Sequence, residues 1–216
     1  MTAGTSMHLY GRALAGEPCW VRCDDGRTRP LPVRRWLGAT TGDELADDVL
    51  TRWCDGPTID LGCGPGRLAA RLTGRGVAAL GVDLSPIAVA ITRSRGAPAL
   101  QRDLFGPLPG HGRWHYALLA DGNLGIGGDP ARMLRRVRDL LAPGGVAVVE
   151  FEPAGTGMVS GPIRLETHTA VGDWFPWAHV GIEHVPDLAA VAGLEVLTTT
   201  TVSDRPIAWL THARPR

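Results

Sequence analysis

The sequence predicts an α/β fold, a mostly parallel sheet covered by helices on both faces. Three observations carry that prediction. Short apolar runs of strand length alternate with helical patterns between residues 58 and 151. The first run, Thr58-Ile59-Asp60-Leu61, breaks into a glycine turn, Gly62-Cys63-Gly64-Pro65-Gly66, before a helix begins. Acids stand at or near the ends of the next two runs, at Asp83 and Asp103.

Residues 1–40 show little periodicity. Asp25-Gly26, between Trp20–Cys23 and Thr28–Leu31, predicts a small hairpin there. Leu45, Val49 and Leu50 share one face of a helix over 42–54, with Thr41 or Asp43 as its cap. After strand 58–61, the glycines at 62, 64 and 66 allow a sharp turn and leave no Cβ between backbone and ligand. The helix at Leu68–Leu72 points free N–H groups into that turn, which suits a polar, hydroxyl-rich or anionic guest. The dinucleotide fingerprint G-x-G-x-x-G is not met: the third glycine arrives one residue early, and Arg67 takes the sixth place.

Val77–Asp83 is a second strand. Ser85 caps the next helix, Pro86 is its first residue, and the helix runs from Ile87 to about Arg95. At a strand end, the Asp83 carboxylate can accept from two vicinal hydroxyls. Its alternative is to cap the following helix, a task for which Ser85 is better placed. Ala99–Phe105 is a third strand and Trp114–Asp121 a fourth, with a glycine-rich exit over 122–130. A helix follows from Pro130 to Leu141, with Met133, Leu134, Val137, Leu140 and Leu141 at 3–4 spacing and arginines opposite. Val146–Phe151 is a fifth strand. Beyond it, 153–162 reads as a glycine-rich loop, 163–170 as a strand, and 173–181 as aromatic and turn-like. A short helix over Val185–Ala192 is closed by Gly193. Leu194–Val202 and Ile207–Ala213 form a hairpin around 203–206.

D-x-G-x-G-x-G from Asp60 to Gly66, G-V-D-L-S from Gly81 to Ser85 and L-L-A-P-G-G-x-x-V-V-E from Leu140 to Glu150 resemble the motifs of class I S-adenosylmethionine-dependent methyltransferases. The resemblance covers about 58 to 151. It implies a Rossmann-like three-layer sandwich, with a mostly parallel seven-stranded sheet and an antiparallel C-terminal strand. It also implies S-adenosylmethionine as cofactor. Asp60 would contact the methionine portion, and Gly62, Cys63, Gly64 and Gly66 would form the turn around it. Asp83 and Leu84 would meet the ribose. Asp103 would read the adenine amino group while Leu104 or Phe105 packs on the ring. The backbone at Ala120 and Asp121 would hold the cofactor's amino group. Residues 1–40 would be an extension or cap packed on a methyltransferase domain spanning 41–216.

The implied reaction is methyl transfer to a small molecule such as a specialised metabolite, with the O, N, S or C acceptor atom left open. His179 is the first candidate base, because imidazole is the side chain that ordinarily titrates near neutrality; His168 is the second. Asn123, in the exit of the fourth strand, is a candidate to hold an acceptor group. The Asn/Asp-Pro-Pro-Tyr box of nucleobase and glutamine methylation is absent, which argues against that subclass. Trp174, Phe175 and Trp177 either stack a planar substrate or form a core cluster. The arginines of 27–35 leave an acidic acceptor open, whereas those of 132–138 read as the solvated face of a helix.

The 216 residues suggest a single globular unit, and 22 basic residues balance 22 acidic ones. No global field recruits nucleic acid or an anionic membrane. No apolar run is long enough to span a bilayer. The four cysteines read as reduced thiols in a cytoplasmic protein, with no metal site. Two other readings remain: a non-catalytic or non-methylating S-adenosylmethionine-binding protein, and an NAD(P)-dependent oxidoreductase. Oligomeric state is open.

Overall fold

In the computed structural model, which describes residues 4–38 and 43–214, the N-terminal stretch forms helix α1 (Gly4–Leu14), strands β1 (Trp20–Cys23) and β2 (Thr28–Pro30), and helices α2 (Val33–Trp36) and α3 (Glu44–Thr51). Strands and helices then alternate as β3 (Thr58–Leu61), α4 (Arg67–Gly74), β4 (Ala79–Asp83), α5 (Pro86–Ser94), β5 (Ala99–Gln101), β6 (Trp114–Leu119), α6 (Pro130–Leu140) and β7 (Leu141–Glu150). The chain continues through β8 (Met158–Glu166), β9 (Phe175–Val180) and α7 (Val185–Ala192) into the hairpin β10 (Leu194–Val202) and β11 (Arg205–His212).

The main sheet has seven strands in the order β10-β11-β7-β6-β3-β4-β5. β3 to β7 run parallel, and β11 lies antiparallel between β7 and β10. The expected three-layer, mostly parallel sheet is therefore observed. Period-two burial explains the layering. Ile59, Leu61, Ala117, Leu119 and Val149 pack with Met133, Leu134 and Val137 of α6 and Leu188 of α7. Leu118, Val148 and Trp209 face the other way, toward Leu50 of α3 and Leu68 and Leu72 of α4. Ser85 caps α5, its hydroxyl accepting from Ala88 N–H at 3.2 Å. Gly193 ends α7 with φ +73°. The order of strands reverses between β3 and β6, so a crevice opens there at the carboxyl ends of the strands.

A second sheet, β2-β1-β8-β9, was not foreseen as a unit. The expected hairpin over residues 20–31 is present, but β1 also pairs with β8, and β8 with β9. The loop expected over 153–162 is thus strand from Met158 onward, and the turn-like 173–181 contains β9. Gly161 and Pro162 disguised the first of these strands, because both residues are disfavoured in isolated strands. Pro176 and the clustered aromatics disguised the second. α1, unmarked by periodicity in the sequence, lays Leu9 and Ala13 on Val21, Ile163 and Leu165 of this sheet.

Element boundaries also move. The third strand ends at Gln101 rather than Phe105, and the fifth begins at Leu141 rather than Val146. Asp43 precedes α3 without a side-chain capping bond, and Thr41 lies outside the described residues.

Candidate active site

The glycine turn sits at the crevice. Gly62, Gly64 and Gly66 hold φ of +75°, +54° and +76°, a region in which a Cβ is strained. A Cβ on Gly62 would lie 2.7 Å from Asn123 Nδ2. That amide donates to the carbonyls of Leu61 at 3.0 Å and Gly62 at 2.8 Å, so Asn123 ties the turn to the exit of β6. Asp83 closes the other side: Oδ2 accepts from Gly64 N–H at 2.9 Å and Oδ1 from Ser85 N–H at 2.8 Å. Burial raises its pKa against those two bonds. A carboxylate has about four acceptor positions, so two remain for a ligand diol.

Asp60 is only 2 % exposed. Burial pushes its carboxyl up to about 7, with Arg67 opposing the shift and Asp121 and Asp83 adding to it. Cys63 is a neutral thiol, its pKa raised chiefly by burial. Asp103 lies two residues beyond β5, exposed, with Oδ1 accepting from Phe105 N–H at 3.0 Å. Leu104 is in the core, while the Phe105 ring lies 4.0 Å under the Arg132 guanidinium carbon. Leu84, next to Asp83, is exposed. The three acids at 60, 83 and 103 thus stand along the carboxyl edge of the adjacent strands β3, β4 and β5.

At the exit of β6, the Ala120 carbonyl accepts from Asn123 N–H at 3.0 Å. Asp121 adopts φ +55°, and its N–H donates to Glu150 Oε2 at 2.7 Å. Its carboxylate bonds to both Arg67 and Arg205. Arg205 is 4 % exposed and grips Glu150 through two bonds of 2.7 and 2.8 Å. Arg67 grips Asp47 of α3 through two bonds of 2.8 Å. Burial alone would lower the pKa of Arg205, but the bonds and charge of Glu150 outweigh it. This ionic cluster fixes the strained Asp121 and joins α3, α4, β7 and β11. Neither arginine was singled out as a site residue from the sequence, although Arg67 directly follows the glycines and Glu150 ends a motif.

The second sheet and α1 roof this edge. Gly11 of α1 packs on Ile87 of α5, where any Cβ would collide. That close approach brings the Tyr10 hydroxyl within 3.2 Å of where a Cβ of Gly64 would stand. Tyr10 meets the Trp36 ring edge-on at 5.8 Å, and its pKa is raised by burial and then by Asp83. From β9, the Trp177 indole lies against Gly125, and His179 reaches Glu152 through Nδ1 at 3.0 Å. The second ring nitrogen of His179 meets Arg29 Nη2 at 3.2 Å. His168 is elsewhere, exposed beyond the opposite end of β8 and 5.0 Å from the Trp20 ring. A cavity of about 370 Å³, lined by Gly128, Ser160, Trp174 and Phe175, borders the exit loop of β6, and one of about 250 Å³, lined by Val77, Pro98 and Trp114, lies at the amino ends of β4 and β6.

A methyltransferase domain family model matches residues 44–155, just over half of the chain. The chain belongs to this methyltransferase family. The class I S-adenosylmethionine-dependent type expected from the sequence stands with it. Among solved structures, the methyltransferase is similar to an S-adenosylmethionine-dependent methyltransferase from Bacteroides fragilis in complex with S-adenosylhomocysteine. TM-score is 0.78 at 20% identity, covering 98% of this chain and 97% of the other. It is also similar to the CcbJ methyltransferase from Streptomyces caelestis, with TM-score 0.64, 18% identity and coverage of 82% and 92%. The sugar N-methyltransferase KedS8 from Streptoalloteichus gives TM-score 0.61, 20% identity and coverage of 83% and 91%. No curated protein matches the sequence. Among the described residues, no helix is long and apolar enough to cross a membrane, and no cluster of three or more His, Cys, Asp or Glu side chains could hold a metal.

The site suits an adenosyl sulfonium on its own chemistry. The turn presents backbone without side chains, Asp83 keeps acceptor capacity for hydroxyls, and Asp60, two residues before the turn, is the acid expected to meet the cation. Because Asp60 binds its proton more tightly folded than unfolded, ionising it costs stability as pH rises toward 7. A bound cation reverses that preference. Affinity for S-adenosylmethionine is therefore expected to rise about tenfold between roughly pH 6 and pH 8, with proton release. Calorimetry in buffers of different ionisation heat checks this, and Asp60→Asn should flatten the profile.

Proposed function

We propose that the methyltransferase methylates a small-molecule acceptor enclosed beneath the roof formed by α1 and the β2-β1-β8-β9 sheet. One observation supports this reading: the roof sets Tyr10 over Gly64 and Trp177 against Gly122 and Gly125 at the exit of β6, with His179 on the same strand as Trp177 and bonded to Glu152 just beyond β7. Such a covered site excludes water and bulky polymers. Residues 1–40 then act as a cap together with β8 and β9, over a domain that the remainder of 41–216 supplies. The four free cysteines suit a reducing, cytoplasmic setting.

S-Adenosylmethionine, when bound, supplies an electrophilic methyl group. Asp83 and Leu84 hold the ribose, Asp60 and the turn of Gly62, Cys63, Gly64 and Gly66 hold the methionine portion, and Asp103 with Leu104 borders the adenine. The Ala120 carbonyl, fixed through Asp121, faces the amino group. Asn123 positions the turn rather than the acceptor, because both donors of its amide are bonded to Leu61 and Gly62. Trp177 packs the acceptor, and His179 takes its proton.

Glu152 orients His179 by accepting its Nδ1–H; that bond holds the Glu152 carboxyl below its usual range, with Arg29 and Arg35 adding to the effect. His168 has no part in this reading. Tritium from methyl-labelled S-adenosylmethionine should appear in the low-molecular-weight fraction of a cell extract. Label in protein or nucleic acid instead would contradict the proposal. With an acceptor in hand, His179→Gln should lower kcat about a hundredfold while leaving S-adenosylhomocysteine affinity unchanged. An unchanged kcat would remove His179 as base.

A further inference from the structure

The Arg29 contact with His179 has a chemical consequence. Guanidinium has donors and no acceptor. Nη2 of Arg29 lies 3.2 Å from Nε2 of His179, so Nε2 must accept, and Nδ1 must carry the hydrogen that goes to Glu152. The lone pair that would take a substrate proton is therefore engaged. Arg29 stands on β2 and His179 on β9, the two edges of the four-stranded sheet, and their side chains reach one another across it.

Among the described residues, no carboxylate lies within ion-pair distance of Arg29, whereas neighbouring Arg35 is paired to Asp43 at 3.3 Å. Arg29 is exposed, as are both other residues of β2. The charge of Arg29 already acts on Glu152, but its hydrogen-bond partner is an imidazole nitrogen, and bonds to charged acceptors are roughly twice as strong as neutral ones, so an anion can displace it.

We propose that the acceptor carries an anionic group, a carboxylate or a phosphate, which binds Arg29 and draws it from His179 Nε2. This rests on the reading of His179 as the base. The acceptor's charge and its reacting atom are then recognised together, since the base is exposed only when the anion is seated. An uncharged analogue leaves the lone pair covered.

The test is the carbethoxylation rate of His179 by diethyl pyrocarbonate in the full chain, resolved from the other histidines by peptide mass spectrometry. Arg29→Gln should raise the rate about fivefold, the factor expected from releasing one ordinary hydrogen bond. Inorganic phosphate or acetate should raise it in the parent protein, relative to chloride at equal ionic strength, and should have no further effect in Arg29→Gln. A response to phosphate alone assigns a phosphorylated acceptor; a response to acetate assigns a carboxylated one. The proposal is overturned by three results: no response to either anion, a response that persists in Arg29→Gln, or an unchanged rate in Arg29→Gln. Retained kcat in His179→Gln would defeat the base reading instead, while the reactivity measurement would still report whether an anion moves Arg29.

Discussion

Replacing Asp83 with alanine is expected to weaken S-adenosylhomocysteine binding by the methyltransferase at least about a hundredfold. Two charge-assisted hydrogen bonds to the ribose hydroxyls are lost, each worth about 1.5–3 kcal/mol. A second loss is local. Asp83 also accepts from Gly64 and Ser85 N–H, so its removal slackens the glycine turn and the start of α5. Asp83→Asn separates the two contributions, because it keeps one acceptor oxygen of similar shape. It should bind with intermediate affinity. Isothermal calorimetry reads both variants, at a temperature where circular dichroism shows them folded. Affinity within a few-fold of the parent in Asp83→Ala would contradict the ribose role.

The second large effect is on stability. Arg205→Met leaves Glu150 without its guanidinium and Asp121 with Arg67 alone. Removing one partner of a buried ionic cluster typically costs about 3–5 kcal/mol, because uncompensated charge stays behind. Urea unfolding should show a loss of that size with an unchanged slope. Adding Glu150→Leu should recover part of it, since removing both charges also removes the orphan. However, Glu150 also accepts the N–H of Asp121, whose φ is +55°, so the double variant should still bind the cofactor poorly. A loss under about 1 kcal/mol in Arg205→Met would show that the cluster is better solvated than its burial indicates.

The main sheet was legible in the sequence because its signals are local: Thr58–Leu61 is buried on both faces, Ser85-Pro86 caps a helix, and Gly193 stops one. The acids at 60, 83 and 103 fall on one sheet edge for the same reason, as each stands at or just past the carboxyl end of its own strand. The roof was not legible, because its strands are stabilised by partners far away in the chain. Trp20–Cys23 pairs with Ile163–Glu166, and Pro162 and Pro176 argue locally against strands that register then imposes. The ionic cluster was hidden similarly: Arg67 and Arg205 meet at Asp121 only after β11 inserts beside β7. Asn123 has a further role that the sequence did not show, its amide donors being directed at the glycine turn.

Cofactor binding depends on one cradle, a glycine turn flanked by strand-end acids and closed by the Tyr10 and β9 roof. A crystal structure with S-adenosylhomocysteine tests it most directly. The ribose hydroxyls should lie within hydrogen-bonding distance of Asp83, with the sulfur turned toward Trp177 and His179. A ligand seated away from Gly62–Gly66, or a sulfur facing solvent with His179 behind the ring, would contradict it.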